Sequence, residues 1–141
     1  MPIYELRMSN THDFSKLIYP ELSYKIAGIL FVVHNELGRL CNERQYADCF
    51  ENYLKKSGIR YEREKILAPF FDNEAIGRNR VDFLIDGKIL LDVKAKRVLT
   101  REDYYQMRRY LIAANKKLGI VVNLRDRYLR PKRVLNSSAK V

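Results

Sequence analysis

Residues 80–97, "RVDFLIDGKILLDVKAKR", contain two short apolar runs that are joined by Asp86-Gly87. An Asp-Gly pair between two such runs predicts a β-hairpin. The first run contains Asp82, and the second contains Asp92 and Lys94. Charged side chains are rare in buried strands. These three residues therefore lie either on a solvated face of a sheet or in a functional site.

The order of polar and apolar residues predicts which way the hairpin faces. Successive side chains of a strand point to opposite faces. The odd positions are all apolar, and the charged residues of both strands fall on even positions. The odd positions are Val81, Phe83, Ile85, Ile89, Leu91 and Val93. If the odd residues of both strands share one face, the residue numbers of each cross-strand pair must add up to an even number. We therefore predict a three-residue loop of Ile85, Asp86 and a left-handed Gly87, with Leu84 opposite Lys88.

In this register Asp82 is opposite Leu90 and diagonal to Asp92. Diagonal neighbours are about 7–8 Å apart, and their carboxylates repel unless a cation joins them or one is protonated. A hard ion such as Mg²⁺ binds one or two carboxylates together with water and phosphate. Lys94 projects from the same face and can approach a phosphate. Ion pairing of the two acids with Arg80 and Lys94 on a solvated sheet face is the alternative.

The composition indicates a basic protein with a polyanionic partner. The chain has 141 residues, one ordinary domain, and a net charge of +10 from 27 Lys and Arg against 17 Asp and Glu. Such a surplus is typical of nucleic-acid-binding proteins. The basic residues are concentrated after position 87. The candidate nucleic-acid contacts are Lys96, Arg97, Arg101, Arg108, Arg109, Arg125, Arg127 and Arg130.

Several other classes are not favoured. There is no run of 18 apolar residues, and "MPIYELRMSNTHDF" does not resemble a signal peptide, so we expect a cytoplasmic protein without a membrane partner. Cys41 and Cys49 are too few for a disulfide framework. With only two histidines, His12 and His34, a zinc site of thiolate and imidazole ligands is not expected either.

The periodicity along the chain predicts a mixed α/β domain. The predicted elements are helices over 20–37, about 42–56 and 100–117, and strands over 59–71, 78–85, 88–95, 118–124 and 128–135. Pro20 suits a first helical position, Asn42 a cap and Gly38 a helix stop. The third and fourth strands flank a helix and should be parallel. We expect an arm at 1–18, one domain at 19–135 with four to five strands flanked by helices, and a tail at 136–141.

Three motifs resemble those of a known nuclease superfamily. Asp82, a ten-residue interval and then Asp92-Val93-Lys94 resemble the PD-(D/E)XK motif. The stretch from Gln106 to Tyr110 resembles the QxxxY motif of its RecB-type and λ-exonuclease-type nucleases. Residues 20–135 resemble its GxxExxY family, with the ExxY on Glu43 and Tyr46. Leu40 stands where that family has glycine, so the resemblance does not extend to the conformation of this turn.

The resemblance implies a restriction-endonuclease-like core and a metal-dependent nuclease, with DNA the expected substrate. Asp82 and Asp92 would bind Mg²⁺ or Mn²⁺ with the Val93 carbonyl, and Glu43 would complete or flank this site. Lys94 would position or activate the attacking water. Gln106 and Tyr110 would border the site and steady Lys94 or the DNA.

Two other functions stay open at this stage. One is a catalytically weak or inactive nucleic-acid-binding accessory protein with the same fold, and the other is an interaction module without a nucleic-acid role. A homodimer is compatible with cutting of two strands, by analogy alone. Tyr46 is expected in the core, and His34 is expected to pack near a loop rather than act as a base.

Overall fold

The computed structural model describes residues 18–139, which form three helices and five strands. The helices are α1 (Pro20–Leu37), α2 (Glu43–Lys56) and α3 (Arg101–Ala114). The strands are β1 (Tyr61–Ile66), β2 (Arg80–Ile85), β3 (Ile89–Lys94), β4 (Leu118–Asn123) and β5 (Lys132–Leu135). The predicted arm at 1–18 lies, except for Ile18, outside the described residues.

The five strands form one mixed sheet in the order β1-β2-β3-β4-β5. The pair β3–β4 is parallel and the other three pairs are antiparallel. The predicted mixed sheet and the parallel crossover are thus confirmed. In this topology β1, β3 and β4 end, and β2 and β5 begin, at the same border of the sheet, which is formed by strand ends and not by an outer strand. We call it the Lys94 edge, after the last residue of β3.

Each face of the sheet is covered by helices. On one face the odd residues of the hairpin, from Phe83 to Val93, pack with the buried residues of α1 and α2. On the other face Leu84 and Leu90 pack with Met107 of α3. The even face, which was predicted to carry the charges, is therefore a second core and not a solvated surface. Helix α3 covers the apolar part of that face, so charged side chains there must be buried or lie at its margin.

The register of the hairpin differs from the prediction by two residues. Ile85 pairs with Ile89 and Leu84 with Leu90, so the pairing sum is even as expected, but Leu84 is not opposite Lys88. Asp86 (φ 52°) and Gly87 (φ 65°) are both left-handed, and the Lys88 amide donates to the Ile85 carbonyl over 3.0 Å. Asp86 and Gly87 thus have the positive φ angles of a type I′ turn. Lys88 is the extra residue that restores the even register.

The helix signals in the sequence are confirmed. Pro20 is in the first turn of α1, and Gly38 (φ 73°) ends that helix. The Asn42 side chain accepts a 2.8 Å hydrogen bond from the Gln45 amide, and the Gln45 side chain accepts one of 2.8 Å from the Asn42 amide. This reciprocal cap starts α2 at Glu43. Tyr46 is in the core, as expected, and its hydroxyl donates to the Gly38 carbonyl over 2.6 Å.

The outer strands are shorter than predicted, and long loops replace the missing parts. β1 ends at Ile66, and residues 67–79 form a loop that contains Pro69. β5 begins at Lys132, and residues 124–131 form a second loop. His34 packs against this second loop through a 2.7 Å contact between Nε2 and the Asp126 carbonyl, as expected. Both loops leave the sheet at the Lys94 edge.

The start of the predicted tail packs against the end of α3. Asn136 is buried, and its amide donates to the Lys117 carbonyl over 2.9 Å. Its side-chain Nδ2 donates to the Lys116 carbonyl over 3.1 Å. Of the helices in the described part, none is long and apolar enough to cross a membrane.

Gly119 of β4 is a point of close approach between the sheet and α3. A Cβ atom at this position would lie 2.5 Å from Sδ and 2.7 Å from Cγ of Met107, a buried side chain. We expect Gly119→Ala to lower the free energy of unfolding by about 1–3 kcal/mol, because Met107 must move inside a packed core. Urea denaturation followed by circular dichroism measures this.

The control is Gly28→Ala in α1, where nothing beyond the adjacent residues and the backbone of the helix itself lies within 4 Å of the added Cβ. This variant should be as stable as the wild type or more stable, by up to about 1 kcal/mol, because alanine favours a helix. Equal effects of the two substitutions would show that the sheet and α3 are not packed as closely as described.

Candidate functional site

In the middle of the hairpin, two carboxylates accept hydrogen bonds from backbone amides, which in a regular sheet would go to backbone carbonyls. The register of β2 and β3 puts Asp82 opposite Asp92, one pair beyond Phe83–Leu91, where the regular pairing ends. The Asp82 amide donates to Asp92 Oδ1 over 3.1 Å, and the Val93 amide donates to Asp82 Oδ2 over 2.7 Å. The two acids are therefore opposite each other, closer than the diagonal arrangement that the sequence predicted.

β2 is irregular at Asp82 on its other side as well. Its pairing with β1 runs through Arg63–Phe83 and resumes at Lys65–Val81, and Glu64, opposite Asp82, has a φ of 51°. Beyond this irregularity Val81 belongs to the core under α3, whereas Phe83 belongs to the core under α1 and α2. The prediction that Val81 shares the face of the other odd residues is therefore wrong, because the strand alternation is interrupted at Asp82.

The two carboxylates have different environments. Asp92 is only 4% exposed, and burial, followed by the charge of Asp82, raises its pKa to about 7. Asp82 is half-buried, and burial raises its pKa although the Val93 amide opposes this. The solvated-face alternative is therefore wrong for Asp92. The pair carries more negative charge than its protein neighbours compensate.

Lys94 is the nearest cation to Asp92. Its Nζ is 3.7 Å from Asp92 Oδ2 and 4.0 Å from Asp103 Oδ1, and it donates a 2.8 Å hydrogen bond to Gln106 Oε1. Its side chain is 17% exposed. Gln106 thus reaches Lys94 from α3, in the place that the resemblance implies. The ammonium group is held at the margin of the site with access to solvent.

Asp103 belongs to this cluster, and the sequence interpretation missed it. Its buried carboxylate accepts hydrogen bonds from the Thr100 amide over 2.8 Å and from Lys96 Nζ over 2.9 Å. Burial would raise the pKa of Asp103, but the Thr100 amide and Lys96 lower it below its usual value. A sequence signal for Asp103 was available in the Thr100–Asp103 spacing, which is that of a reciprocal N-terminal cap at the start of α3.

Tyr110 closes the buried side of the site. Its side chain is 6% exposed and belongs to the core cluster under α3, together with Val81. Burial raises the pKa of Tyr110 to about 12, with a further contribution from the charges of Asp92 and Asp82. The phenol therefore stays protonated at neutral pH.

Glu43 reaches the site from the first turn of α2. It is exposed, its Oε2 accepts a 3.3 Å hydrogen bond from the Ala95 amide, and its charge raises the pKa of Asp82 and Asp92. A cavity of about 210 Å³ lies between Glu43, Arg63 and Asp82. A larger cavity, of about 720 Å³, is at the opposite edge of the sheet beside Asp86. Of the candidate site residues, Glu43 and Asp82 line the smaller cavity, and none lines the larger one.

The sequence profile of the PD-(D/E)XK nuclease superfamily matches residues 20–134. The chain belongs to the PD-(D/E)XK nuclease superfamily. The predicted superfamily is thus confirmed, and the mixed sheet with its flanking helices is a restriction-endonuclease-like core, as expected. No curated protein and no solved structure matches the chain. Membership supports a nuclease-like function, and the narrower GxxExxY assignment stays a prediction.

Asp82 and Asp92 are the residues of the PD-(D/E)XK motif whose side chains could hold a divalent metal. Within residues 18–139 no group of three or more His, Cys, Asp or Glu side chains is arranged to hold an ion. Asp82 and Asp92 offer two hard oxygen donors and uncompensated negative charge. Magnesium takes one or two carboxylates and completes its shell with water and phosphate. The carboxylate pair therefore fits such an ion, whereas the Glu43 carboxylate is bonded to Ala95.

Most of the predicted nucleic-acid contacts of this PD-(D/E)XK protein are on the surface. The exposed ones are Arg97, Arg101, Arg109, Arg125, Arg127 and Arg130. Arg108 is half-buried beside the Tyr104 hydroxyl, at 3.5 Å, and Lys96 is paired with Asp103. The loops 95–100 and 124–131 carry five residues of this set at the Lys94 edge, which are Lys96, Arg97, Arg125, Arg127 and Arg130. That edge therefore combines the acidic centre with basic loops.

The raised pKa of Asp92 makes the stability of the metal-free protein pH-dependent. The fold favours the protonated carboxyl, so its stabilising contribution is present at low pH and is lost as pH rises through about 7. We expect Asp92→Asn to remove this loss and to raise the free energy of unfolding at pH 8 relative to the wild type by roughly 2 kcal/mol. Urea denaturation in EDTA at pH 5 and pH 8 measures this.

The control variant is Asp86→Asn in the turn of the same hairpin. The Arg60 side chain lowers the pKa of Asp86, so the pH dependence of stability has the opposite sign to that of Asp92. The Asp86 carboxylate stabilises the fold above its usual pKa. Asp86→Asn should therefore not stabilise the protein at pH 8. The same pH dependence in wild type and Asp92→Asn would contradict the raised pKa.

Proposed function

We propose that this PD-(D/E)XK protein is a metal-dependent nuclease that hydrolyses phosphodiester bonds of nucleic acid, with DNA as the preferred class. The observation that supports this most directly is the Asp82–Asp92 pair with Lys94 beside it. The pair is partly enclosed, rich in negative charge and open to solvent at the Lys94 edge. A purely structural ion pair would not leave two opposing carboxylates with raised pKa values.

Asp82 and Asp92 would hold Mg²⁺ or Mn²⁺, with the Val93 carbonyl as a further oxygen donor. A divalent ion, when bound, supplies hydroxide near neutral pH and neutralises charge on the phosphate. Glu43 flanks this position and adds to the negative potential that attracts a cation. The proton on Asp92 competes with the metal, so metal affinity should increase as pH rises through about 7.

Lys94 would act on the phosphate or on the attacking water. Its ammonium has three donors, of which one is used by Gln106 Oε1 at 2.8 Å. The remaining donors can reach a non-bridging phosphate oxygen and stabilise its charge as hydrolysis proceeds. Gln106 is a positioning residue, because it contacts Lys94 and holds the ammonium at the margin of the site.

Tyr110 and Asp103 would support this arrangement from α3. Tyr110 packs in the same core cluster as Val81, the residue before Asp82 in β2. Asp103 pairs with Lys96 at 2.9 Å and lies 4.0 Å from Lys94, so it orients both cations. The exposed arginines of the loops at the Lys94 edge would contact phosphates of the substrate, which implies salt-dependent binding.

The second candidate is a nucleic-acid-binding accessory protein with little or no turnover. The observation in its favour is Glu43, whose carboxylate is bonded to the Ala95 amide and not joined to Asp82 and Asp92. Such a protein would bind nucleic acid in a salt-dependent manner and would not cleave it with either metal.

The test of the nuclease proposal is cleavage of labelled single-stranded and duplex DNA and RNA in Mg²⁺ or Mn²⁺. Asp82→Asn and Asp92→Asn should each lower the cleavage rate at least about 100-fold, because each removes a metal ligand. EDTA should abolish cleavage of all substrates by the wild type. Asp86→Asn is the matched control, since it changes an aspartate of the same hairpin at the opposite edge, and its rate should equal that of the wild type.

Absence of metal-dependent cleavage by folded wild-type protein on all of these substrates would contradict the nuclease proposal. Salt-dependent binding in that case would favour the accessory protein. Cleavage that persists in Asp92→Asn would instead show that another site carries the activity.

A second test separates metal binding from turnover. Lys94→Gln should lower the cleavage rate by roughly 100-fold to 10,000-fold, because it removes the cation that stabilises the phosphate or orients the water. Calorimetric titration with Mn²⁺ should show that metal still binds, since both carboxylates remain. Lys88→Gln, in the turn of the hairpin, should retain both properties. Loss of metal binding in Lys94→Gln would mean that Lys94 acts by maintaining the carboxylate site.

A further inference from the structure

The loop between β1 and β2, residues 67–79, presents large apolar side chains to solvent. Phe70 is 43% exposed, Phe71 57% and Ile76 87%. Exposed apolar groups that are clustered in one loop commonly mark a binding surface. Neither core of the protein uses these three side chains.

The backbone of this loop is braced by polar groups. Glu74 Oε1 accepts hydrogen bonds from the Phe70 amide over 2.6 Å and from Asn79 Nδ2 over 2.7 Å. Asn79 is 7% exposed, and its carbonyl accepts a 2.7 Å hydrogen bond from the Leu67 amide. The loop thus has a defined shape in which the aromatic rings are held outside the core.

The loop adjoins the candidate active site. It leaves the sheet at the Lys94 edge and re-enters at Arg80, two residues before Asp82. At its base, Leu67 packs in the same core cluster as Val81 and Tyr110. A ligand on the loop would therefore lie beside the acidic pair, and a shift of the loop would be transmitted to β2.

The surroundings of the loop favour a nucleic-acid ligand. Arg78 and Arg80 are exposed within or beside it. At the same edge, loop 124–131 presents Tyr128, which is 71% exposed, with the Arg127 guanidinium 5.4 Å from the centre of its ring. Aromatic rings combined with nearby cations are the means by which proteins stack unpaired bases and follow the phosphate backbone.

We propose that the loop at residues 67–79 stacks on unpaired bases through Phe70 and Phe71, and that the substrate is therefore a single strand or a duplex end with unpaired nucleotides. The proposal rests on the proposed nuclease function and narrows its substrate class. In an intact duplex the base faces are already stacked on each other, so exposed rings have no partner there. Unpaired bases offer those faces without a cost of melting.

The experiment compares binding of a labelled 15-nucleotide single strand and its duplex by fluorescence anisotropy in EDTA, where metal-dependent cleavage does not occur. The variant Phe70→Ala/Phe71→Ala should weaken single-strand binding roughly 10-fold to 100-fold and change duplex binding by less than about 2-fold. Tyr24→Ala is the matched control, because Tyr24 is an aromatic residue of α1 with 79% exposure outside the loop. Its affinity for either substrate should be unchanged.

A second variant distinguishes loss of the aromatic ring from loss of the loop structure. Phe71→Leu keeps an apolar side chain of similar size but removes the aromatic face, and it should also weaken single-strand binding selectively. Thermal unfolding of all variants should match the wild type, since the replaced rings lie outside both cores. Phe71→Leu with wild-type single-strand affinity would overturn the stacking role.

Three outcomes contradict the proposal. They are unchanged single-strand binding in the double alanine variant, equal losses on single strand and duplex, and a changed oligomeric state in light scattering, which would assign the loop to a protein contact. Failure of the nuclease proposal is seen separately, as absence of cleavage in Mg²⁺ or Mn²⁺. The binding measurement does not depend on turnover, and Asp92→Asn should keep the single-strand preference.

Discussion

The reciprocal hydrogen bonds between the Asp82 and Asp92 carboxylates and the backbone amides of the facing strand are the interaction on which the rest of the site depends. They replace two positions of the regular β2–β3 ladder. A carboxylate in place of a carbonyl brings negative charge into the sheet. The backbone amides that would otherwise lack partners donate hydrogen bonds to it. The sheet thereby stays connected while two acids are held opposite each other.

This arrangement is costly to the fold when the carboxylates are charged. Burial and mutual repulsion raise the pKa of Asp92 to about 7, so the charged form is poorly compensated by the protein alone. Lys94 offsets part of this charge, but Gln106 and Asp103 hold its ammonium at 3.7 Å from Asp92 and not in direct contact. A divalent cation would satisfy both carboxylates, which is the physical basis of the proposed chemistry.

The topology places every part of this chemistry at one edge of the sheet. The parallel β3–β4 pair makes both strands end beside Lys94, and the antiparallel neighbours bring the loops 67–79 and 124–131 to the same edge. The acidic pair therefore lies between an aromatic loop and a basic loop. Helix α3 covers the adjacent face and contributes Gln106 and Tyr110, so the core that stabilises the sheet also positions the site.

The order of elements, the helix caps and the parallel crossover were predictable from residue order, which also marked Asp82, Asp92 and Lys94 as candidate site residues. These features depend on local patterns: side-chain alternation, capping residues and motif spacing. Residue order carries such information directly, because neighbours in the chain are neighbours in space.

Residue order did not reveal the register of the hairpin, the burial of Asp92 or the proximity of Asp103 to Lys94. The loop at Asp86-Gly87 includes Lys88 as a further residue. This register places Asp92 opposite Asp82 and not diagonal to it. The even face became a second core because α3 packs on it, which parity within one hairpin cannot reveal. Register, burial and charge coupling depend on contacts between residues distant in sequence, and these form only when the sheet and helices assemble.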